Sequence, residues 1–453
     1  MSTARRPARR SPWLLAVLLL AAAHMLVFDR GLGGDGWAGF ALLESLADDG
    51  DLWLENNHRG VMNGLVGTSS GHLTAQYPPG TAVLDALPFF AGRALDRLLP
   101  VAGPLARGLD MPPVGRVPRG VFLSVALIVL ARNAAALLGL AWTAGALLRL
   151  GASERTAAAA TALTFFGGPL LFYSLVGMTH APTFALAALL FYRLAGRTEE
   201  AGWSYDFVSG LVAGAAVLVR YSAVALLLPA LLAPLLAPLL ERPRRIAGVA
   251  ATAAGFALLA LPLPFWWRAL FGSWLPPPYG GRWMVTLASP WNVLFAPVHG
   301  LFLFHPALLC AAAGLAALAG RELARRAVGP GTIAAAWFLA VAVPHGWWSE
   351  WANAGAYGQR FLIDALPALA LGFAAWLAPG RGRRLRAGTA VAATLAGWLL
   401  FFTAVGGLVP PPAGLPWPQR LGDYAVLLQR PPGAAELGRA LARASFLWRA
   451  LAR

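Results

Sequence analysis

Asp35-Gly-Trp-Ala-Gly-Phe-Ala-Leu-Leu-Glu-Ser-Leu-Ala-Asp-Asp-Gly-Asp51 follows closely on an apolar run, Trp13 to Phe28, and the rest of the chain is read outward from it. If the run is a first membrane span, Asp29 and Asp35 stand at a membrane face. Ala38 to Ala47 carries Phe40, Leu43, Leu46 and Ala47 at the spacing of a short amphipathic helix lying in the interface. Gly50 suits its C-terminal stop. A carboxylate at the water–lipid boundary, backed by such a helix, suits chemistry on a lipid-borne substrate.

Composition places this stretch in a membrane protein. The 453 residues are 58% hydrophobic and only 12% charged, about half the charged share of a soluble domain. Such a chain is all-α and polytopic. The formal charge of +16 comes from Arg alone. These arginines cluster between apolar runs and form no single stripe, which fits positive-inside topology and argues against a nucleic-acid partner. Cys310, the single cysteine, rules out an intrachain disulfide. Arg5, Arg6, Arg9 and Arg10 before the first run, with more spans following, fit a retained helix whose N-terminus is cytoplasmic.

In order, the expected spans are 13–28, 121–148, 156–176, 181–194 and 207–219, then, past Arg220-Tyr221, a run to Leu240. After these come 246–265, 300–318, 332–344, 361–377 and 390–409, about eleven in all. A first external loop, 29–119, contains the apolar helix Thr81 to Leu99. Its Asp85, Arg93, Asp96 and Arg97 predict that this helix lies in the interface. A second large loop, 266–298, carries Trp266, Trp267, Trp274, Trp283 and Trp291, aromatics suited to the headgroup layer. Residues 1–409 then form one transmembrane module. The Pro- and Arg-rich tail, 410–453, falls outside against the charge trend, and Leu437, Leu441, Phe446 and Leu447 permit an amphipathic helix on the outer surface.

This topology collects Asp35, Asp48-Asp49-Gly-Asp51, His180, Arg220, Arg282, Glu350 and Arg360 on one external face, and charges beside a membrane mark function. Asp35 can serve as a general base or as a helix N-cap. The Asp48–Asp51 cluster is a solvated helix end or a divalent-cation ligand set. Arg220 either snorkels to headgroups or binds a lipid phosphate. His345-Gly-Trp-Trp-Ser-Glu350-Trp-Ala-Asn-Ala-Gly-Ala-Tyr357-Gly-Gln-Arg360-Phe-Leu-Ile-Asp364-Ala-Leu-Pro367 is the most specific segment. Arg360 offers a fixed fork for phosphate, and Trp347, Trp348 and Trp351 offer flat faces for a sugar or prenyl chain. The alternative is an aromatic belt with an Arg360–Asp364 pair at i, i+4.

An acid after the first span, an aromatic-containing helix, and Gly50-Asp51 sixteen residues on resemble the first external loop of GT-C glycosyltransferases. These polytopic enzymes, such as protein O-mannosyltransferases and aminoarabinose transferases, use polyprenyl-phosphate-linked sugars. Gln76-Tyr77-Pro-Pro-Gly80 is similar to the Pro-Pro element ending that loop. His299-Gly-Leu-Phe-Leu-Phe-His305-Pro306 and the Gly358-Gln-Arg360-Phe segment resemble further family elements. His180 stands where aminoarabinose-transferase-like relatives place an acid, so no second carboxylate is carried over.

The resemblance implies a GT-C-like bundle in a bacterial cytoplasmic membrane, with an outer-face site and an inverting transfer. Asp35 would be the base, and Arg220 and Arg360, with Arg282 beside them, would hold the donor phosphate. Trp347, Trp348, Glu350, Tyr357, His180 and Tyr77 would line the site. The partners implied are a polyprenyl-phosphate sugar donor, a glycan, lipid or protein hydroxyl acceptor, and membrane lipids. No Asp-x-Asp follows Asp35, so a catalytic metal has no support there. A lipid or lipid-linked-sugar flippase is the rival from another class, although the sequence shows no discontinuous helix or inverted repeat. A scaffold that keeps the fold without activity is the third reading.

Overall fold

The computed structural model describes residues 11–28, 32–56, 65–99, 110–111, 115–116, 122–198, 201–236, 242–275, 288–296, 299–348, 358–380 and 382–405. Within them the chain is mostly helical. The first elements are α1 (Pro12–Phe28), α2 (Gly34–Asp48), α3 (Gly80–Leu98), α4 (Phe122–Arg149), α5 (Glu154–Phe166), α6 (Leu170–Tyr173), α7 (His180–Ala195) and α8 (Trp203–Val219). Then come α9 (Leu227–Leu235), α10 (Arg242–Ala260), α11 (Pro262–Phe271), α12 (Ala288–Phe295) and α13 (Leu301–Phe304). The last are α14 (Ala307–Ala324), α15 (Pro330–Trp347), α16 (Leu366–Trp376) and α17 (Arg383–Val405). In the first loop, β1 (Leu65–Gly67) pairs antiparallel with β2 (Leu73–Ala75), Val66 opposite Thr74, and β3 (Asp110–Met111) with β4 (Gly115–Arg116).

Helix occupies part of every apolar stretch read as a span. Among the described residues, three helical stretches are long and apolar enough, by length and composition, to cross a membrane: Leu123–Arg149, Arg244–Phe271 and Ala307–Ala324. Leu15, Leu19, Leu20, Leu258, Leu261, Leu385 and Leu395 point outward. That much outward leucine would be costly in water and faces its own kind in a bilayer. The chain is a membrane protein.

Several helices are interrupted, contrary to the sequence expectation. The stretch 156–176, expected as one rod, begins with Ser153 accepting the Thr156 N–H at 3.2 Å and ends at Gly167-Gly168-Pro169. Two glycines and a proline without an N–H cannot carry the helix on, and it resumes as the single turn of α6. After α8, a 3₁₀ segment, Tyr221–Leu226, leads into α9, and a second, Arg360–Ala365, leads into α16. α13 stops before His305-Pro306.

The first external loop is a folded layer whose Trp37, Phe40, Leu43, Leu54 and Phe89 share a core with Val125 and Ile128 of α4. The interfacial amphipathic helix expected over 38–47 is therefore corrected. α2 starts at Gly34, and Asp35 to Leu43 is buried throughout, because the stretch from Trp37 to Leu43 is apolar on every face and the helix packs against α3. Phe40 meets Phe89 edge to face at 5.2 Å. Gly50, at φ +74, follows the C-cap as expected. Asp48 pairs with Arg93, and Asp51 accepts from the Ser45 hydroxyl at 2.8 Å and the Trp53 N–H at 2.9 Å, so both carboxylates are tied to protein groups.

On α3, Val83, Leu84, Leu87 and Leu98 face outward while Asp85 and Phe89 face inward. Trp266 and Trp267, expected in the second loop, lie within α11. The Ser69 N–H and hydroxyl donate to the Leu270 carbonyl at 2.9 and 3.2 Å, tying the β1–β2 hairpin to the end of α11. The tail, 410–453, lies outside the described residues.

Candidate active site

Asp35 sits in the first turn of α2, and the capping residue is Gly33, which excludes the N-cap role left open by the sequence. The residue is 8% exposed. It accepts the Thr179 N–H on Oδ1 at 3.3 Å and the Thr179 hydroxyl on Oδ2. Thr179 belongs to the turn before α7, which the sequence marks only as short.

Arg220 ends α8 in an extended conformation (φ −158, ψ 120) and is buried. Arg360 opens the second 3₁₀ segment. Their guanidinium carbons lie 5.2 and 5.3 Å from the centroid of one ring, Phe361, within cation–π range. His345 stacks on Phe361 at 5.1 Å and Trp348 meets it edge-on at 5.3 Å. Arg220 Nη1 and Arg360 Nε have no hydrogen-bond partner among the described residues. The polar neighbour of Arg360 Nη1 is the Met178 sulfur, 3.9 Å away.

Gly358, at φ +58, leads into this segment. A Cβ there would come within 2.6 Å of His305 Nε2, so glycine lets Gly358-Gln-Arg360 dock on the His305 turn. Asp364, which the alternative reading pairs with Arg360, lies buried beside Arg220 and Ser222. The physical reason is the 3₁₀ geometry: at three residues per turn, i and i+4 stand about 120° apart.

Tyr77 joins the two sides. Burial pushes its phenol up, the Asp35 charge adds to the rise, and Arg360 and Arg220 oppose it. It is held there by the Pro78-Pro79 turn, after which the Thr81 hydroxyl donates to the carbonyl of Val219, the neighbour of Arg220, at 3.2 Å. His180 is buried and stacked on Tyr173 at 4.6 Å. Neither of its ring nitrogens has a hydrogen-bond partner among the described residues, and the charges of Arg220, Arg360 and Arg132 reach it.

Asp35, Tyr77, His180, Arg220, Arg360 and Trp348 thus come together, with Trp347 partly buried at the end of α15. Arg282, Glu350 and Tyr357 lie outside the described residues. Among those described, no group of three or more His, Cys, Asp and Glu side chains could hold a metal. Sequence reasoning missed Thr179 and a buried ion pair, Asp85–Arg132. A lone Arg inside the apolar run 122–149 was the available signal.

No family model and no curated protein matches the chain. Among solved structures, ArnT from Cupriavidus metallidurans bound to undecaprenyl phosphate superposes with a TM-score of 0.54 at 14% identity, over 98% of this chain and 77% of that one. The archaeal oligosaccharyltransferase AglB from Archaeoglobus fulgidus, in complex with an inhibitory peptide and a dolichol-phosphate, gives a TM-score of 0.49 at 14% identity. There the match covers 98% of this chain and 56% of that one. With the interrupted helices and the folded first loop, the ArnT likeness assigns this chain a GT-C-like fold.

Proposed function

We propose that the chain is an integral membrane glycosyltransferase moving a sugar from a polyprenyl-phosphate donor to a hydroxyl acceptor at the outer face of a bacterial cytoplasmic membrane. The observation that carries this reading is that one turn, Met178-Thr179, touches both Arg360, through the Met178 sulfur, and the buried Asp35 carboxylate, through Thr179, while Arg360 and Arg220 share the Phe361 ring. The undecaprenyl phosphate bound to ArnT supports the donor class.

In the proposed step an acceptor hydroxyl oxygen attacks the anomeric carbon from the face opposite the phosphate. The new C–O bond forms as the bond to the phosphate oxygen breaks, and that electron pair leaves on the polyprenyl phosphate. Asp35 takes the hydroxyl proton. Arg220 and Arg360 neutralise the departing phosphate, for which their unpaired donors are suited. Arg282 would join them, and Tyr77, His180, Trp347, Trp348, Glu350 and Tyr357 would line the sugar. Residues 1–409 would form the catalytic module, with loops 29–119 and 266–298 over the site and 410–453 as an external tail.

The interrupted helices also suit a flippase, which needs broken helices beside its cargo. One assay separates the readings: purified protein in lipid, given labelled polyprenyl-phosphate sugar, with wild type beside Asp35→Asn. Turnover that collapses in Asp35→Asn while donor binding persists supports the transferase. Lipid translocation without donor consumption supports the flippase. Turnover that survives in Asp35→Asn removes the base from Asp35.

A further inference from the structure

Asp85 and Arg132 form a buried ion pair for which the proposed chemistry has no use. They are 3% and 2% exposed. Arg132 Nε donates to Asp85 Oδ1 at 3.2 Å and Nη2 donates to Oδ2, a fork-on-carboxylate arrangement. The remaining nitrogen, Nη1, donates to the Gly177 carbonyl. Gly177 lies two residues before Thr179, whose N–H and hydroxyl both donate to Asp35. A second contact closes the circuit. A Cβ on Gly36 would stand 2.3 Å from the Gly177 oxygen and 2.6 Å from Arg132 Nη1, so the backbone beside Asp35 rests directly on that oxygen and that guanidinium. One charged group from α4, anchored by one carboxylate from α3, therefore fixes the turn that holds the Asp35 carboxylate.

We infer that Asp85 and Arg132 are positioning residues for Asp35, acting through the Gly177 carbonyl and the Thr179 donors. The inference rests on the reading of Asp35 as a base. An ion pair this deep is weak evidence of stabilisation by itself, since desolvation offsets the attraction. Its geometry supplies something else: both partners are held rigidly, and the third guanidinium nitrogen points at one loop carbonyl. A shift of about 1 Å in a reacting group can cost on the order of 100-fold in rate, so such a tie acts on catalysis without touching substrate.

The test uses full-length protein in lipid with Asp85→Asn, Arg132→Gln, Thr179→Val and Thr179→Ser. Two quantities are read: deuterium uptake of the backbone around 176–179, and kcat and KM for a labelled polyprenyl-phosphate sugar. Asp85→Asn and Arg132→Gln are expected to raise uptake at 176–179. They and Thr179→Val should lower kcat about 10- to 100-fold with donor KM within about twofold, and Thr179→Ser should restore most of it. Thr179→Val, close to isosteric, keeps the test open if the ion-pair variants do not fold. Unchanged uptake in folded Asp85→Asn and Arg132→Gln overturns the inference, as does a rise in KM at constant kcat. Wild type that consumes no donor sinks the transferase reading instead, and uptake alone then decides whether the ion pair holds the turn.

Discussion

The two halves of the candidate site differ in how they are satisfied. On the Asp35 side the charged groups are spoken for within the protein: Arg132 by Asp85 and Gly177, and both Asp35 oxygens by Thr179. On the arginine side, two guanidiniums share the face of Phe361, and Arg220 Nη1 and Arg360 Nε have no hydrogen-bond partner among the described residues. Buried donors without acceptors are costly, and cation–π contact offsets only part of that cost. One half is fixed in advance, and the other leaves guanidinium donors open, which is what the proposed phosphate binding would use.

The largest effect should come from the fixed half. Asp35→Asn removes the base and should lower kcat by about 10²- to 10⁴-fold, with binding of undecaprenyl phosphate retained. Loss of binding instead would mean that both halves hold the lipid and would break the contrast. Next come Arg220→Ala and Arg360→Ala. Each should weaken undecaprenyl phosphate binding by roughly 10- to 100-fold, the equivalent of ~1.5–3 kcal/mol for a charged hydrogen bond. The double variant should lose less than the product, because both groups face one ring. Thermal shift sharpens this: saturating undecaprenyl phosphate should stabilise wild type and Asp35→Asn alike, and the double arginine variant hardly at all.

A stability effect without new chemistry is expected at Gly36→Ala. The added methyl meets the Gly177 oxygen and should cost about 1–3 kcal/mol by overpacking, read as a lower melting temperature. An unchanged Tm would show that the fixed half has slack. The smallest effect belongs to the β1–β2 hairpin, remote from this contrast. The Leu73 N–H, more than His72, holds the Glu55 carboxyl below its ordinary range. Its contribution is therefore full above that ordinary value of 4.5 and fades as pH falls through the depressed one. Deuterium uptake at 73–75 should rise on acidification in wild type and already be raised in Glu55→Gln.

The sequence discloses much of the arginine side and less of the Asp35 side. Arg360 announces itself through Gly358-Gln-Arg-Phe and the tryptophans before it, and Arg220 through an interrupted apolar run. Asp35 is visible mainly because its loop, with an acid after the first span and Gly50-Asp51 sixteen residues on, resembles the GT-C first loop. Its holders are not. Thr179 is 144 residues away and Arg132 reaches Asp85 across 47, and a single sequence carries no periodicity for pairs brought together by tertiary packing. Asp85 was legible only as one of four charges, with Arg93, Asp96 and Arg97, on an apolar helix, which suggested an interfacial helix and hid its inward partner. The break at Gly167-Gly168-Pro169, where composition forces it, is open to reading, although the apolar run 156–176 reads as one span. At Tyr221–Leu226 and Arg360–Ala365 ordinary helix-forming residues adopt 3₁₀ geometry, and nothing local foretells it.

Those two 3₁₀ segments also set a length. Each has six residues and begins at, or directly after, one of the two arginines. A 3₁₀ segment rises about 2.0 Å per residue against about 1.5 Å for an α-helix, so six residues reach roughly 3 Å further. Rewinding either segment into α-helix would draw its arginine about that distance along the axis toward the helix that follows. If the two arginines hold the donor phosphate as proposed, the pair are spacers that would gauge how deep a charged headgroup must sit to meet both guanidiniums at once.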